Sequence, residues 1–425
     1  MPLAADCEKA VVKQPKVKAS NKANFFITYN FNSKILKSKF LKKRKKTDII
    51  KGMKASTNKS VKTEKADKPV KTVGILTSGG DAPGLNAAIR ALCISGKNNY
   101  GMKFIGIRNG YRGLIDNDTF KMDELDLEPL ISQGGTILGT SRVKPFKNPV
   151  PDPKTGLLPV EGIKETFKKN KLDALVCLGG NGTNTTASLL SEAGFNVIGM
   201  PKTIDNDIVG TDETFGFHTA IDVATHGIEA IRTTAKSHSR AMVVEIMGHK
   251  VGWLGLYAGL AGRADVILLP EIPYDIKKIA KYMKAKKAKG QNYFIIACSE
   301  GAIDLDEAKL GKKEFKKARE AMPQSVGFRV AKEIEAETGI ETRTSVLGYL
   351  QRGGDPAPYD MILATKLGNA AADFLAERRF GNLVAVKNGA IAATPLSVVA
   401  GRVKEITEKD PVLKTARDLG ICFGD

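Results

Sequence analysis

The amino-acid sequence predicts an α/β protein with two three-layer domains, each built on a mainly parallel sheet. From Lys71 onward, short apolar runs alternate with segments of helical periodicity. The runs are continuously apolar, which is typical of strands covered by helices on both faces. They are more numerous than one doubly wound sheet needs, so two domains are expected. With 425 residues, 42% of them hydrophobic, the chain is long enough for two cores.

Seven apolar runs are predicted strands, namely residues 72–77, 104–107, 174–178, 197–200, 241–245, 266–269 and 293–297. A helix is predicted over residues 84–95, after the first strand and a glycine-containing loop. Other polar, glycine-rich loops also follow predicted strands. Ligands of open α/β sheets bind at the carboxyl ends of the strands, so we expect these loops to form a common site at that edge.

The formal net charge of +20 comes mostly from the amino-terminal segment. Residues 1–70 contain 19 Lys or Arg and 5 Asp or Glu, a net charge of +14, and the rest of the chain carries only +6. This segment is lysine-rich and poor in periodic apolar positions, so we predict a disordered basic extension. It could be a solvated extension, a nuclear or targeting signal, or a polyanion-binding arm. The nearly balanced body of the chain argues against nucleic acid as its main partner.

The cysteines and the hydropathy indicate a reducing, aqueous compartment. The 5 cysteines are scattered and form no CxxC pair, so neither a disulfide framework nor a cysteine-based metal site is expected. No stretch approaches the roughly 18 apolar residues of a membrane span. We therefore predict a cytoplasmic protein with no membrane partner.

Two glycine-rich loops could admit phosphate groups. The first, residues 78–84, joins a predicted strand to the predicted helix, and the second, residues 179–183, follows another strand. Glycine lets the backbone approach a phosphate, and a helix N-terminus offers unpaired N–H groups. Either loop alone is equally compatible with an ordinary tight turn. Two such loops in parallel strands favour phosphate binding.

A pair of carboxylates follows the second loop. Asp205 and Asp207 lie two positions apart, beside Lys202 and Thr203. A single aspartate would commonly cap the next helix. Phosphoryl transfer, however, needs cations for the phosphates and a carboxylate for the attacking hydroxyl. The cluster therefore favours a catalytic role, with Asp205 as general base toward a sugar hydroxyl and Asp207 holding a metal ion or the base.

Taken together, these motifs resemble the sequence blocks of 6-phosphofructokinases. The resemblance is carried, in the family's order, by residues 77–90, 134–142, 179–183, 201–207, 245–248, Arg343 and 348–354. It covers about residues 70–400 and implies two Rossmann-like domains with the active site in the cleft between them. After the extension 1–70, the nucleotide-binding domain would comprise residues 71–217 plus about 352–400. The fructose 6-phosphate-binding domain would comprise residues 218–351 plus about 401–425.

The resemblance also implies roles for individual catalytic residues. Asp205 matches the catalytic base, Thr203 a transition-state hydrogen-bond donor and Asp207 a carboxylate near the magnesium ion. Arg240 completes this set and matches an arginine that reaches the sugar phosphate from a neighbouring subunit. A homo-oligomer, dimer or tetramer, is therefore expected.

The same resemblance implies three binding sets. The donor-binding set is Gly80, Arg142, Gly180, Asn181, Gly182, Thr183 and Lys202. The Mg²⁺ set is Asn181 and Asp207. The set for fructose 6-phosphate is Thr203, Asp205, Arg240, Met247, Gly248, Glu300, Arg343, Tyr349 and Arg352.

Three positions depart from the family pattern. Asn181 replaces a metal-binding aspartate, so it keeps an oxygen ligand but loses a charge, and weaker magnesium binding is expected. Tyr349 stands where many bacterial members have a histidine that binds the substrate phosphate. Ile94 stands where the bacterial effector site has a second arginine, so that site is not carried over.

The phosphoryl donor depends on Gly182 and Lys202. Pyrophosphate-dependent members have aspartate and lysine at these positions, whereas ATP-dependent bacterial members have glycine at both. A side chain at position 182 would crowd the α-phosphate, and a carboxylate would repel it, so Gly182 favours ATP. The predicted reaction is transfer from ATP to the 1-hydroxyl of D-fructose 6-phosphate, giving fructose 1,6-bisphosphate and ADP, the committed step of glycolysis. A pyrophosphate-dependent enzyme and a non-catalytic sugar-phosphate-binding regulatory subunit are the alternatives.

Overall fold

The computed structural model describes residues 68–147 and 149–425, so residues 1–67 of the predicted basic extension lie outside the described part. The strands are β1 Thr72–Ser78, β2 Lys103–Ile107, β3 Thr119–Lys121, β4 Ala174–Gly179, β5 Val197–Pro201, β6 Ala241–Ile246, β7 Val266–Leu268, β8 Phe294–Ser299, β9 Thr342–Val346, β10 Asn382–Lys387 and β11 Ala390–Pro395.

The α-helices are α1 Leu85–Tyr100, α2 Tyr111–Asp116, α3 Pro159–Asn170, α4 Asn181–Glu192, α5 Phe217–His238, α6 Trp253–Ala261, α7 Ile276–Ala288, α8 Lys312–Glu320, α9 Val326–Thr338, α10 Pro358–Ala376, α11 Leu396–Val399 and α12 Pro411–Asp418. Short 3₁₀ helices lie at Met122–Glu124, Glu128–Ile131, Glu307–Lys309 and Gly348–Arg352.

The described strands form two sheets. The larger has seven strands in the order β11-β10-β5-β4-β1-β2-β3, and the smaller has four in the order β7-β8-β6-β9. The smaller sheet is entirely parallel. The larger sheet is parallel except at its two edges, where β3 pairs with β2 and β11 with β10 in antiparallel register. The predicted α/β class with mainly parallel sheets is confirmed.

Each sheet is the middle of three layers, because neighbouring residues of a central strand face different cores. In β1, Ile75 belongs to the core that α1 and α10 cover, whereas Leu76 belongs to the core under α2, α3 and α4. In β6, Val244 packs with α5 and α6, and Val243 packs with α7 and α9. Burial on both faces explains why the central strands are continuously apolar in sequence.

The seven predicted strands all occur, with ends within two residues of those expected, and four further strands were missed. Three of these, β3, β9 and β11, lie at sheet edges. Strand β9 has the sequence TRTSV, in which only the first residue is buried, so it lacks the apolar run that marks a buried strand. Strand β10 does contain a buried apolar run, LVAV, which the sequence interpretation left unused.

The order of the strands places the carboxyl ends of β1, β4 and β5 side by side in the larger sheet. Val73 of β1 is in register with Ala174 of β4, and Leu175 of β4 with Val197 of β5. The first glycine loop, the second glycine loop and the double-carboxylate turn follow these three strands in turn. The sheet therefore brings the three sequence motifs to one edge.

The sequence predicted neither a disulfide framework nor a membrane span, and both features can be compared with the structure. Cys93, Cys177 and Cys298 are buried free thiols, Cys422 is a partly buried one, and Cys7 lies outside the described residues. Within the two described ranges, no helix is both long enough and apolar enough to cross a bilayer.

Candidate active site

A cavity of about 600 Å³ opens at the carboxyl ends of the strands, between the two sheets. The larger sheet contributes the three loops that follow β1, β4 and β5, and the smaller sheet contributes residues that follow β6 and β8. The residues predicted from sequence that line it are Gly80, Arg142, Gly180, Asn181, Gly182, Thr183, Lys202, Thr203, Asp205, Asp207, Met247, Glu300 and Arg352. The fold thus brings together most of the predicted donor, metal and sugar-phosphate sets.

The first loop follows β1 and is held by two cations. The Lys202 ammonium donates to the Gly80 carbonyl oxygen. Arg352 donates from Nη1 to the Asp81 carbonyl oxygen at 3.1 Å. A Cβ at position 80 would lie 2.8 Å from Nη1 of Arg352. A side chain at position 80 would therefore displace the guanidinium, which packs directly against the backbone of Gly80.

The second loop joins β4 to α4, with Gly180 at the N-cap position. The Thr183 hydroxyl donates to the Ser78 carbonyl oxygen at 3.1 Å, which ties the second loop to the first. Tyr111 donates to the Thr183 carbonyl oxygen at 2.9 Å from below. The hydroxyl of Thr183, a predicted donor-binding residue, thus holds the two loops together. Residues 180–183 at the start of α4 line the cavity, and the first backbone N–H groups of a helix have no partner within it.

Gly182 has open space around it, unlike Gly80. A Cβ at position 182 would meet only the end of the Lys144 side chain, at 3.7 Å from Cε and 3.9 Å from Nζ. These are ordinary van der Waals distances, so the protein itself would accommodate a side chain there. The space above Gly182 belongs to the cavity and is bordered by a cation.

The carboxylate turn follows β5 in an irregular path. Asn206 adopts a positive φ of 50°, and the backbone N–H of Asp205 donates to Thr203 Oγ1 at 3.1 Å. The buried Thr214 hydroxyl donates to the Thr203 carbonyl oxygen at 2.7 Å, which stabilises the turn. These contacts hold the Asp205 side chain at the cavity wall rather than at the cap of a helix.

Asn181 and Asp207 contact each other across the two loops. Asn181 Nδ2 donates to Asp207 Oδ2 at 2.7 Å and to the Asp207 carbonyl oxygen at 3.2 Å. The oxygen of the same side-chain amide, Asn181 Oδ1, is buried without a hydrogen-bond partner, as is Asp205 Oδ1. Two unpartnered oxygens and a neighbouring carboxylate are the donor types that Mg²⁺ prefers.

No group of three or more His, Cys, Asp or Glu side chains that could hold a metal ion occurs in residues 68–147 and 149–425. The predicted metal site has only two ligands, Asn181 and Asp207, and only Asp207 is of these four residue types. Mg²⁺ is commonly held by one or two protein carboxylates together with substrate phosphates and water. The residues present therefore fit a metal that arrives with a phosphorylated substrate.

Burial shifts the pKa values of the charged groups in the cavity. Burial, followed by the nearby Asp207 carboxylate, raises the pKa of Asp205. Burial also raises the pKa of Asp207. Lys202 is only 3% exposed, and burial, reinforced by the Arg352 cation, lowers its pKa to about 8. A lysine poised near neutral pH and a carboxylate with raised basicity suit proton transfer and phosphate recognition.

The smaller sheet supplies a second, opposite wall. Glu300 Oε1 accepts hydrogen bonds from the backbone N–H of Gly248 at 3.3 Å and of His249 at 2.7 Å. The backbone N–H of Met247 donates to Gln351 Oε1 at 3.2 Å. Gly248 has φ = 147°, a conformation that favours glycine. Gly248 therefore shapes this wall although it does not itself line the cavity.

Three predicted substrate residues lie away from the cavity of their own chain. Arg240 and Arg343 both pair with the carboxylate of Glu341, at 2.8 Å from Arg240 Nε and 2.5 Å from Arg343 Nη2. Tyr349 is 79% exposed, next to the exposed Leu350. The two arginines share a carboxylate at the start of β6 and β9, whereas the cavity lies beyond the ends of the strands.

The cavity also contains Ser78 and Gly79, which belong to the predicted first loop but to none of the three residue sets. The residues that the sequence interpretation missed are Tyr111, Val143, Lys144, His249, Lys250 and Val403. His249 and Lys250 directly follow Met247 and Gly248, so their position beside a predicted block was an available signal. Val403 comes from the carboxyl-terminal segment after α11. It follows no motif, and only the packing of that segment brings it to the site.

A family model described as phosphofructokinase matches residues 72–375. The chain is 51% identical over 362 residues to an ATP-dependent 6-phosphofructokinase of Spirochaeta thermophila, covering 84% of this chain and 98% of the relative. It is also 42% identical over 335 residues to a pyrophosphate–fructose 6-phosphate 1-phosphotransferase of Amycolatopsis methanolica, covering 79% of this chain and 96% of that protein.

Among solved structures, the chain is similar to phosphofructokinase from Saccharomyces cerevisiae. The match has a TM-score of 0.66 and 30% sequence identity, and it covers 77% of this chain and 45% of the yeast chain. The similarity therefore spans most of the described fold but less than half of that larger chain.

Proposed function

Because the chain belongs to the phosphofructokinase family, we propose that it is an ATP-dependent 6-phosphofructokinase, transferring a phosphoryl group from ATP to the 1-hydroxyl of fructose 6-phosphate. The observation that carries the proposal is the placement of Asp205. Its carboxylate is buried at the wall of a cavity that also contains two glycine loops and the cations Lys202 and Arg352. A base, phosphate-binding backbone and cations in one cavity are the parts that this reaction requires.

The donor side of the site is formed by the larger sheet. The free N–H groups at the start of α4 and the exposed Arg142 side chain would bind the donor phosphates. Lys202 is anchored on the Gly80 carbonyl oxygen and would neutralise phosphate charge from behind that loop. Gly182 leaves space for the nucleotide beyond the transferred group.

Magnesium would be held by Asn181 Oδ1 and the Asp207 carboxylate together with the donor phosphates. The unpartnered, buried state of Asn181 Oδ1 supports this assignment. When bound, the ion would screen the negative charge of the phosphoryl group being transferred. Asn181 keeps Asp207 oriented through its own amide N–H donor.

The acceptor side of the site is formed by the smaller sheet. Because each sheet lines one side of the cavity, we assign one functional domain to each sheet. Residues 71–217 plus about 352–400 would bind the donor, and residues 218–351 plus about 401–425 would bind fructose 6-phosphate. Asp205 lies between the two and would take the proton of the attacking hydroxyl, a step that its raised pKa favours. Thr203 would donate a hydrogen bond to the phosphoryl group in transit.

Arg240, Arg343 and Tyr349 would act in the site of a neighbouring copy of the chain. The ion pairs with Glu341 hold both arginines in place, outside the cavity of their own chain. Tyr349 and Leu350, which follow the other end of β9, are exposed and available to a neighbouring chain. A homo-oligomer would thus complete the binding of the 6-phosphate.

The test is a comparison of ATP and pyrophosphate as donors for the wild type and for Asp205→Ala. We expect turnover with ATP in the wild type and a roughly 10²–10⁴-fold lower kcat in the variant, with nearly unchanged binding of fructose 6-phosphate. Asp222→Ala removes an exposed carboxylate from α5 and should retain full activity. Near wild-type activity in Asp205→Ala would overturn the assignment of the base.

A pyrophosphate-dependent reaction is the second candidate. Lys202 and the 42% identical phosphotransferase favour it, whereas Gly182 and the 51% identical relative favour ATP. A higher kcat/KM with pyrophosphate than with ATP in the same assay would select this second function.

A further inference from the structure

We propose that Lys404 is a positioning residue for Asp207: its side chain holds the far end of the loop that begins at the catalytic carboxylates. This loop, residues 205–212, is called the catalytic loop below. The catalytic meaning of the inference rests on the proposed function, but the contacts on which it is built are independent of the reaction.

Lys404 contacts the catalytic loop at two places. Its backbone N–H donates to the Asp207 carbonyl oxygen at 2.8 Å. Its ammonium donates to the carbonyl oxygens of Asp212 at 2.8 Å and Thr211 at 3.2 Å. Any residue except proline could make the first contact, but only a long cationic side chain can make the second. The lysine side chain therefore ties the segment at Asp207 to the end of the loop, which β10 also contacts through Val386.

The catalytic loop needs such support because it has no regular secondary structure. Gly210, with a positive φ of 86°, lies between the two contacts, and Asn206, with a φ of 50°, directly precedes the first, so the chain turns sharply at both places. Backbone carbonyl oxygens that lie outside strands and helices need hydrogen-bond donors from elsewhere in the protein. A charge-assisted hydrogen bond from an ammonium to two carbonyl oxygens is stronger than a neutral one.

Lys404 is itself anchored on the other side of the cavity. Trp253 Nε1, at the start of α6, donates to the Lys404 carbonyl oxygen at 2.7 Å. The ammonium lies 5.3 Å from the Trp253 ring centroid, within the range of a cation–π contact. Two residues on, the N–H of Ile406 donates to Glu271 at 3.1 Å. The lysine thus links the loop after β5 of the larger sheet to a helix that packs on the smaller sheet.

The charges around Lys404 favour the same role. The carboxylates that face the ammonium are Asp207, Asp212, Glu213 and Asp410. One half-buried cation among several carboxylates reduces their mutual repulsion and keeps the Asp207 end of the loop from moving outward. Val403, the preceding residue, lines the active-site cavity, so displacement of this segment would change the shape of the cavity wall.

The first test compares kcat with KM for Lys404→Met in the full-length protein. Methionine keeps most of the side-chain length but removes the donor and the charge. We expect kcat with ATP to fall at least about tenfold, as misplaced catalytic groups do, while KM for fructose 6-phosphate stays within about twofold. Lys404→Arg restores a donor and a charge and should recover most of kcat. Lys409→Met is the matched control, because Lys409 is exposed on the same segment, and its kinetics should not change.

The second test is amide hydrogen exchange of the catalytic loop, which does not depend on turnover. We expect faster exchange of residues 205–212 in Lys404→Met and not in Lys409→Met. If Lys404→Met does not fold, Lys404→Gln, which keeps a polar but uncharged side chain, takes its place. Unchanged kcat and unchanged exchange would overturn the proposal, and so would a loss of activity that arginine does not restore. If the wild type turns over neither donor but exchange responds as expected, the proposed function fails and the positioning role of Lys404 stands.

Discussion

Asn181 and Asp207 are joined by a hydrogen bond across the candidate active site, with 2.7 Å between Nδ2 of the amide and Oδ2 of the carboxylate. An aspartate at position 181 would place two carboxylates in contact instead. The amide of Asn181 therefore allows the loops after β4 and β5 to contact each other without a cation between them. In exchange, the metal site has one negative charge fewer than it would have with an aspartate. This arrangement makes the consequence of restoring the family's usual aspartate predictable.

Asn181→Asp should lower stability in metal-free buffer and regain it with Mg²⁺. The substitution removes a hydrogen bond to a charged group, worth about 2 kcal/mol, and adds repulsion. Asn181→Ala is the matched variant, since it loses the hydrogen bond without adding a charge. Thermal unfolding with and without Mg²⁺ should therefore show rescue of Asn181→Asp alone. Equal behaviour of the two variants would contradict a metal site at this position.

The activity should decline as the pH rises through about 8, because Lys202 has a pKa of about 8 and loses its charge there. Asp205 must be ionised to act as a base, and its raised pKa moves the acid limb of the profile above the usual range of an aspartate. In Lys202→Met we expect a low kcat/KM without the alkaline limb. Lys97→Met, on the exposed end of α1, should keep that limb. An unchanged alkaline limb in Lys202→Met would assign it to another group.

Gly182→Asp should impair the use of ATP, and Lys144 should account for part of the effect. The new carboxylate would lie beside the Lys144 ammonium, which is 3.9 Å from the position of a Cβ at residue 182. It would pair with that cation as well as crowd the nucleotide. We expect KM for ATP to rise at least about tenfold, or roughly 1.4 kcal/mol of binding free energy.

A double-mutant cycle separates charge from crowding at this site. If charge capture contributes, Gly182→Asp should cost less in a Lys144→Met background, with a coupling energy of about 0.5 kcal/mol or more. Crowding alone would make the two effects additive. Lys154→Met, in the surface loop that follows, is the control. Unchanged ATP kinetics in Gly182→Asp would refute the argument that this glycine selects the nucleotide.

Two inactive variants should complement each other if Arg240 acts in a neighbouring subunit. Asp205→Asn inactivates its own site, whereas Arg240→Ser would damage the site of the partner. Co-expression should yield hetero-oligomers in which some sites have both an intact Asp205 and an intact Arg240, so activity should return. Absence of activity in verified hetero-oligomers would place Arg240 in the site of its own chain.

Much of the fold and of the candidate site could be predicted because the informative residues are local in sequence. The apolar runs of β1, β4 and β5 report burial on both faces, and the polar loops that follow them must then lie at one edge of a parallel sheet. Strand β9 could not be predicted in this way, since an edge strand with exposed polar residues lacks that signal. The carboxylate pair and the glycine loops needed no tertiary information to be recognised as a group.

The sequence by itself determined the α/β architecture, the three loops of the site and the nature of the chemistry, because strand burial and loop composition are encoded within short segments. Only the tertiary structure decided which groups meet. Arg352 reaches the Asp81 carbonyl oxygen across 271 positions of the chain, and Lys404 reaches the loop after Asp207 from the carboxyl-terminal segment. Such contacts depend on how distant segments pack, and no local pattern of residue types specifies that.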